Sequence, residues 1–242
     1  MGCAPDMKAP IEDIVEDWSG VKKRFEAWWQ CELYDRVLIS VTAPRDGVAR
    51  RRSEPVDFLT GKVNVDNMIR STLRRCDGIY HGGEALPFFK HSWSHGLDLY
   101  FGSEPRFGAT VWVSPAPVGE DGYPVLDDRW RENPWWKFHE TGTRKAVQAS
   151  KGRYFVMPGW GNMAGDALAG VLRLNRLLIE IADNPDWVGQ AVKRLTAAHM
   201  EVTDELYRIA SSEAVGIEGY REDVGAWAPD KNLSFHCDVS CM

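Results

Sequence analysis

Apolar residues at Ile14, Val15, Trp18, Val21, Phe25 and Trp28 or Trp29 recur at intervals that predict a helix over residues 11–32. The run Val37-Leu38-Ile39-Ser40-Val41 predicts a short strand over 36–43, stopped by the turn Pro44-Arg45-Asp46-Gly47. A basic loop, Arg50-Arg51-Arg52, precedes a helix expected over 66–80. The middle of the chain is loop-rich, with His81-Gly82-Gly83, Pro87 and a cluster of Phe88, Phe89, His91, Trp93 and His95. A short helix is expected over 94–101 and a strand at Val111-Trp112-Val113, ended by Pro115 and Pro117. Asn133-Pro134 opens a helix to residue 150, because asparagine caps well and proline suits the first turn.

From Tyr154 the pattern becomes regular. Tyr154-Phe155-Val156-Met157-Pro158 predicts a buried strand, and the loop Gly159-Trp160-Gly161-Asn162 leads into a helix carrying Ala167, Val171, Leu174, Leu178 and Ile181. Asn184-Pro185-Asp186 caps the next helix, whose apolar stripe is Val188, Val192, Leu195, His199, Val202, Leu206 and Ile209. A strand over 214–217, a Gly/Trp/Pro loop over 224–229 and a strand over 234–240 complete the chain.

Strands alternating with amphipathic helices predict an α/β fold with a parallel sheet and crossover helices. The pattern yields about five strands, whereas a closed α/β barrel needs eight and about 250 residues. Two architectures follow for residues 1–242 as a single domain: the N-terminal part of a TIM (β/α)8 barrel, or an open sheet.

Composition narrows the function classes. The net charge of −6, from 29 basic and 35 acidic residues, does not supply the basic stripe of a general nucleic-acid binder. Eleven tryptophans are a surplus for cores, interfaces or pocket walls. No apolar run reaches the ~18 residues of a membrane helix. Met1-Gly2-Cys3-Ala4-Pro5-Asp6 lacks an apolar signal region and the hydroxyl residue of a myristoylation motif. The five cysteines are odd in number and scattered, so a reduced, cytoplasmic setting is expected.

Several segments, taken in order, resemble the uroporphyrinogen decarboxylase superfamily, which also contains cobalamin-linked methyltransferases. They are Glu32-Leu33-Tyr34-Asp35-Arg36-Val37, Asn133-Pro134-Trp135-Trp136, Gly165-Asp166-Ala167-Leu168-Ala169-Gly170-Val171-Leu172-Arg173, Asp183-Asn184-Pro185 and Phe235-His236-Cys237-Asp238-Val239-Ser240. The resemblance implies a barrel of that family's type, cut near its fifth strand. It also implies decarboxylation of a tetrapyrrole or related carboxylated ring without metal or organic cofactor.

In such chemistry a carboxylate stabilises positive charge on the ring while arginines hold the carboxylate groups. The resemblance places three candidate catalytic carboxylates. Glu84 falls near the family's catalytic aspartate, Asp166 near its site tyrosine, and Asp238 at the end of the last strand. Candidate substrate contacts are Arg45 and Arg50 after the first strand, His91 and His95 beside the Glu84 loop, and His236 on the same strand face as Asp238. Trp160 and Trp227, in loops after strands, are candidate pocket walls. Arg45 and Arg50 are five apart, where the decarboxylases space two arginines by four.

The methyltransferase alternative would bring a corrinoid protein as partner and zinc held by a His-x-Cys pair. Here His236 and Cys237 are adjacent, so no metal site is assigned. A homodimer is the expected assembly, with a small-molecule substrate and neither nucleic acid nor membrane as partner. The third alternative is an inactive, truncated relative.

Overall fold

The computed structural model describes residues 10–46, 56–57, 62–90, 96–107, 111–157, 163–212, 220–221 and 226–229. A 3-10 turn over Pro10–Asp13 leads into α1 (Trp18–Trp29), where Asp17 accepts a bond from the Gly20 N–H and Trp18, Val21 and Phe25 turn inward. After β1 (Ser40–Pro44), β2 (Val56–Asp57) and β3 (Lys62–Val63) comes α2 (Val65–Gly78). Asn64 caps α2, and Val65, Met68, Ile69, Thr72 and Cys76 form its buried stripe. β4 (Ile79–Gly83), β5 (Phe88–Phe89), α3 (Leu97–Tyr100), β6 (Glu104–Phe107) and β7 (Val111–Ser114) follow. Then come α4 (Pro134–Ser150), β8 (Phe155–Val156), α5 (Ala164–Leu172), α6 (Leu174–Asp183), α7 (Pro185–Ser212), β9 (Tyr220–Arg221) and β10 (Ala226–Trp227).

The class is α/β. Among the described residues the strands pair two by two and do not close into a barrel. β1 runs antiparallel to β4, from Ser40 opposite Gly83 to Pro44 opposite Ile79. That pairing corrects the expectation of a loop at His81-Gly82-Gly83, which is strand. It also corrects the expected parallel sheet: among the strands of the described residues, β5 and β8 pair in parallel, through a crossover containing α3, β6, β7 and α4. Gly83 makes the close of β4 possible. Its φ is +61°, and a Cβ there would lie 2.0 Å from the Ile39 carbonyl oxygen. The apolar run in and before β1 is not a buried strand either. Leu38 packs on the core, while Val37, Ile39 and Val41 are exposed.

Two apolar cores share α4. Ala146 and Val147, near its C-terminal end, join Trp18, Phe25, Met68, Phe89, Phe155 and Trp227. Trp136, at its N-terminal end, joins the second core with Trp130, Leu168, Leu177, Leu195 and Leu206. One helix tying two cores couples their unfolding, because its ends cannot leave separately without losing backbone bonds.

The single helix expected around 167–181 is two helices. Arg173, at φ 78° and ψ 142°, breaks it, and the Val171 carbonyl accepts the Ala116 N–H at 3.0 Å. The break resets the helical phase. α6 buries Leu177 and Glu180, and leaves Leu178 and Ile181 exposed. In α7 the stripe holds, with Ala191 and Ala198 joining Leu195, Val202, Leu206 and Ile209 in the core. No helix among the described residues is long and apolar enough to cross a membrane.

Candidate functional site

The structure separates the sequence candidates it describes. Arg50, His91, His95, Trp160, His236 and Asp238 lie outside the described residues. Glu84, Asp166, Arg45 and Trp227 lie inside them.

Glu84 follows β4 and is fully buried. Arg36 donates to both carboxylate oxygens, at 2.8 and 2.7 Å, and the Ile39 N–H donates at 2.7 Å. Arg24 adds a contact at 3.3 Å, and is itself held by Asp35 and Asp17. Burial pushes the carboxyl pKa up, but the bonds from Arg36 and Ile39 outweigh it and hold the group below its ordinary value. With its oxygens committed to two arginines and a backbone amide, Glu84 ties α1 and the segment before β1 to β4. A carboxylate held this way has no open oxygen to meet a substrate, so the geometry supports a structural role at the position expected to carry a catalytic carboxylate.

Trp227, expected as a pocket wall, lies in the core. It is 1% exposed, packs edge-on against Trp18 at 6.0 Å between ring centroids, and its carbonyl accepts the Trp29 Nε1–H at 2.8 Å. It fills the core rather than lining an open pocket. Asp166 stands in the first turn of α5, half-buried, where the helix dipole favours an acid.

Arg45 lies at the other end of the β1–β4 ladder from Glu84, six strand positions and about 20 Å away at the usual rise per strand residue. The structure therefore does not bring these two candidates together. Arg45 is anchored to the C-terminal end of α2. Its backbone N–H donates to the Gly78 carbonyl at 2.9 Å, and its Nε donates to the Ile79 carbonyl at 3.2 Å. A cation there complements the negative end of the helix dipole. With Nε engaged, the guanidinium plane is fixed and its two Nη groups carry no bond to a described residue.

Arg45 opens on a cleft of about 310 Å³, lined also by Asp13, Ile14, Cys76, Asp77 and Arg153. The cleft forms where four elements meet: the turn at Pro10–Asp13, the end of β1, the end of α2 and the approach to β8. Arg153 pairs with Asp77. Asp13 carries no ion pair among the described residues. Burial pushes the Cys76 thiol up to about 11, so it stays protonated and is not a nucleophile near neutral pH. The lining thus carries two guanidinium groups and two carboxylates, of which Arg153 and Asp77 pair with each other. Asp13, Asp77 and Arg153 escaped the sequence reading because none stands in a motif, and only the tertiary fold brings them to Arg45. No group of three His, Cys, Asp or Glu side chains among the described residues could hold a metal ion.

No protein-family model, curated protein or solved structure matches the chain.

Proposed function

We propose that the chain is a uroporphyrinogen decarboxylase-like protein that binds a carboxylated substrate at the Arg45 cleft and promotes loss of carbon dioxide from it. Arg45 carries this reading. The resemblance implies that it holds a substrate carboxylate, and it lines a cleft in which the other guanidinium, Arg153, is already paired with Asp77. A fixed guanidinium fork with free Nη donors suits bidentate capture of a carboxylate. Departure of carbon dioxide leaves an electron pair on the substrate, which a protonated ring accepts. The protein supplies orientation through Arg45 and charge stabilisation through a carboxylate. Asp166 and Asp238 keep that role in the proposal, and Glu84 does not.

The fold reading attached to it is the N-terminal part of a TIM (β/α)8 barrel. The parallel pairing of β5 with β8 across a helical crossover supports it, since that unit is the one such barrels repeat.

The test is direct. Purified protein is incubated anaerobically with uroporphyrinogen, and released carbon dioxide and the carboxylate count of the product are followed by chromatography. Turnover reduced at least about tenfold by Arg45→Gln, equivalent to loss of one charge-assisted contact, supports the reading. Absence of carbon dioxide release overturns it.

A further inference from the structure

The charges around the Arg45 cleft do not cancel in the way a simple anion site requires. Asp77 and Arg153 neutralise each other across the rim. Among the described residues that line this space, Arg45 is then a cation and Asp13 an anion without an ion-pair partner. They do not pair with each other, and neither bonds another side chain among the described residues. The two sit on different elements: Asp13 closes the 3-10 turn and Arg45 follows β1.

An anion site would be weakened by Asp13, since a carboxylate lining the space repels an incoming carboxylate. A ligand carrying both signs gains from each side chain and leaves neither charge exposed to its opposite across an empty gap. The volume of about 310 Å³ is at the small end for ligand pockets. It fits one short chain or one ring and excludes a whole tetrapyrrole from complete enclosure.

We propose that the cleft is a binding site for a small zwitterion, an aminocarboxylate whose carboxylate meets the Arg45 guanidinium and whose ammonium meets the Asp13 carboxylate. The inference rests on the carboxylate-binding reading of Arg45 given above and adds the second charge. No covalent step is part of it. Because both side chains are exposed at the rim, binding weakens with salt as the charges are screened.

The probes are ω-amino acids of two to six carbons, each compared with the unsubstituted carboxylate of equal length. Binding is measured by titration calorimetry on the full chain at low ionic strength. At the best-fitting length the amino acid is expected to bind at least about tenfold tighter than its carboxylate partner. Asp13→Asn should erase that difference and leave carboxylate binding intact or improved. Arg45→Gln should weaken both ligands. Circular dichroism melts check that the variants, both at exposed positions, keep the parent fold.

If the amino acid and the plain carboxylate bind equally, and Asp13→Asn changes neither, the zwitterion proposal is overturned while the carboxylate reading stands. If no carboxylate of either kind binds and Arg45→Gln changes nothing, both fall together.

Discussion

Replacing Glu84 by glutamine tests the distinction between a structural and a catalytic carboxylate. The change keeps shape and removes charge. In the parent, two oxygens accept two bonds from Arg36, one from the Ile39 N–H and one from Arg24. A glutamine amide has one oxygen, and its NH2 group would face donors. At least one bond from Arg36 or Ile39 is therefore lost, and the remaining bonds lose their charge assistance. Breaking a buried ion pair from one side costs about 3–5 kcal/mol. The lower end applies here. Arg24 keeps Asp35 and Asp17, and Arg36, with 37% of its side chain exposed, can turn to water. About 3 kcal/mol corresponds to a melting temperature lower by roughly 6–12 °C for a domain of this size.

The assay is urea unfolding followed by tryptophan fluorescence, with a double-mutant cycle. Arg36→Met combined with Glu84→Gln should cost less than the sum of the single changes by about 1–3 kcal/mol, since each removes the same interaction. A Glu84→Gln protein within 0.5 kcal/mol of the parent, a limit set for ordinary surface changes, would refute the buried-lock reasoning.

The pH dependence carries the same signature. Glu84 has a folded pKa held below its ordinary 4.5, so its stabilisation is complete above that value and is lost as pH falls below it. Acid unfolding of Glu84→Gln should therefore be flatter than that of the parent below pH 4.5. His81, 3% exposed, has its pKa lowered from 6.5 by burial, so the fold favours the neutral ring. The unfolded chain then binds more protons below pH 6.5, stability falls on acidification, and His81→Gln should remove part of that slope in melts between pH 7 and 5. Gly170→Ala would place a Cβ 2.5 Å from the Oδ2 of the fully buried Asp98, and should lower stability by about 1–3 kcal/mol in the same urea assay. In a background lacking Cys3, Cys237 and Cys241, iodoacetamide at pH 7.5 should label exposed Cys31 and spare Cys76, whose thiol is buried and pushed up to about 11. Equal labelling of the two would contradict the burial of Cys76.

Local signals in the sequence determined the starts of α4 and α7 and the buried stripe of α7. Asn133-Pro134 and Asn184-Pro185 mark true helix starts: proline's fixed φ suits the first turn of both, and the Asn133 side chain caps the first. The stripe of α7 and the α2 stripe ending in Cys76 also follow local periodicity, which needs only a core on one side. The α/β class was legible for the same reason.

Tertiary structure decided the rest, because the relevant contacts join residues far apart in the chain. Whether β1 would pair parallel or antiparallel depended on β4, some forty residues away and written as a Gly-rich loop. The phase of α6 depended on a break at Arg173 that apolar spacing does not announce. Glu84 looked free for chemistry in sequence; Arg36 and Arg24, 48 and 60 residues earlier, close over it. Arg45 looked like one of several loop arginines, and the convergence of α2, β1, the approach to β8 and the turn carrying Asp13 gives it a cleft lined also by an opposite charge. A sequence records which side chains can bond, whereas the folded chain fixes which bonds are already taken and which remain open to a ligand.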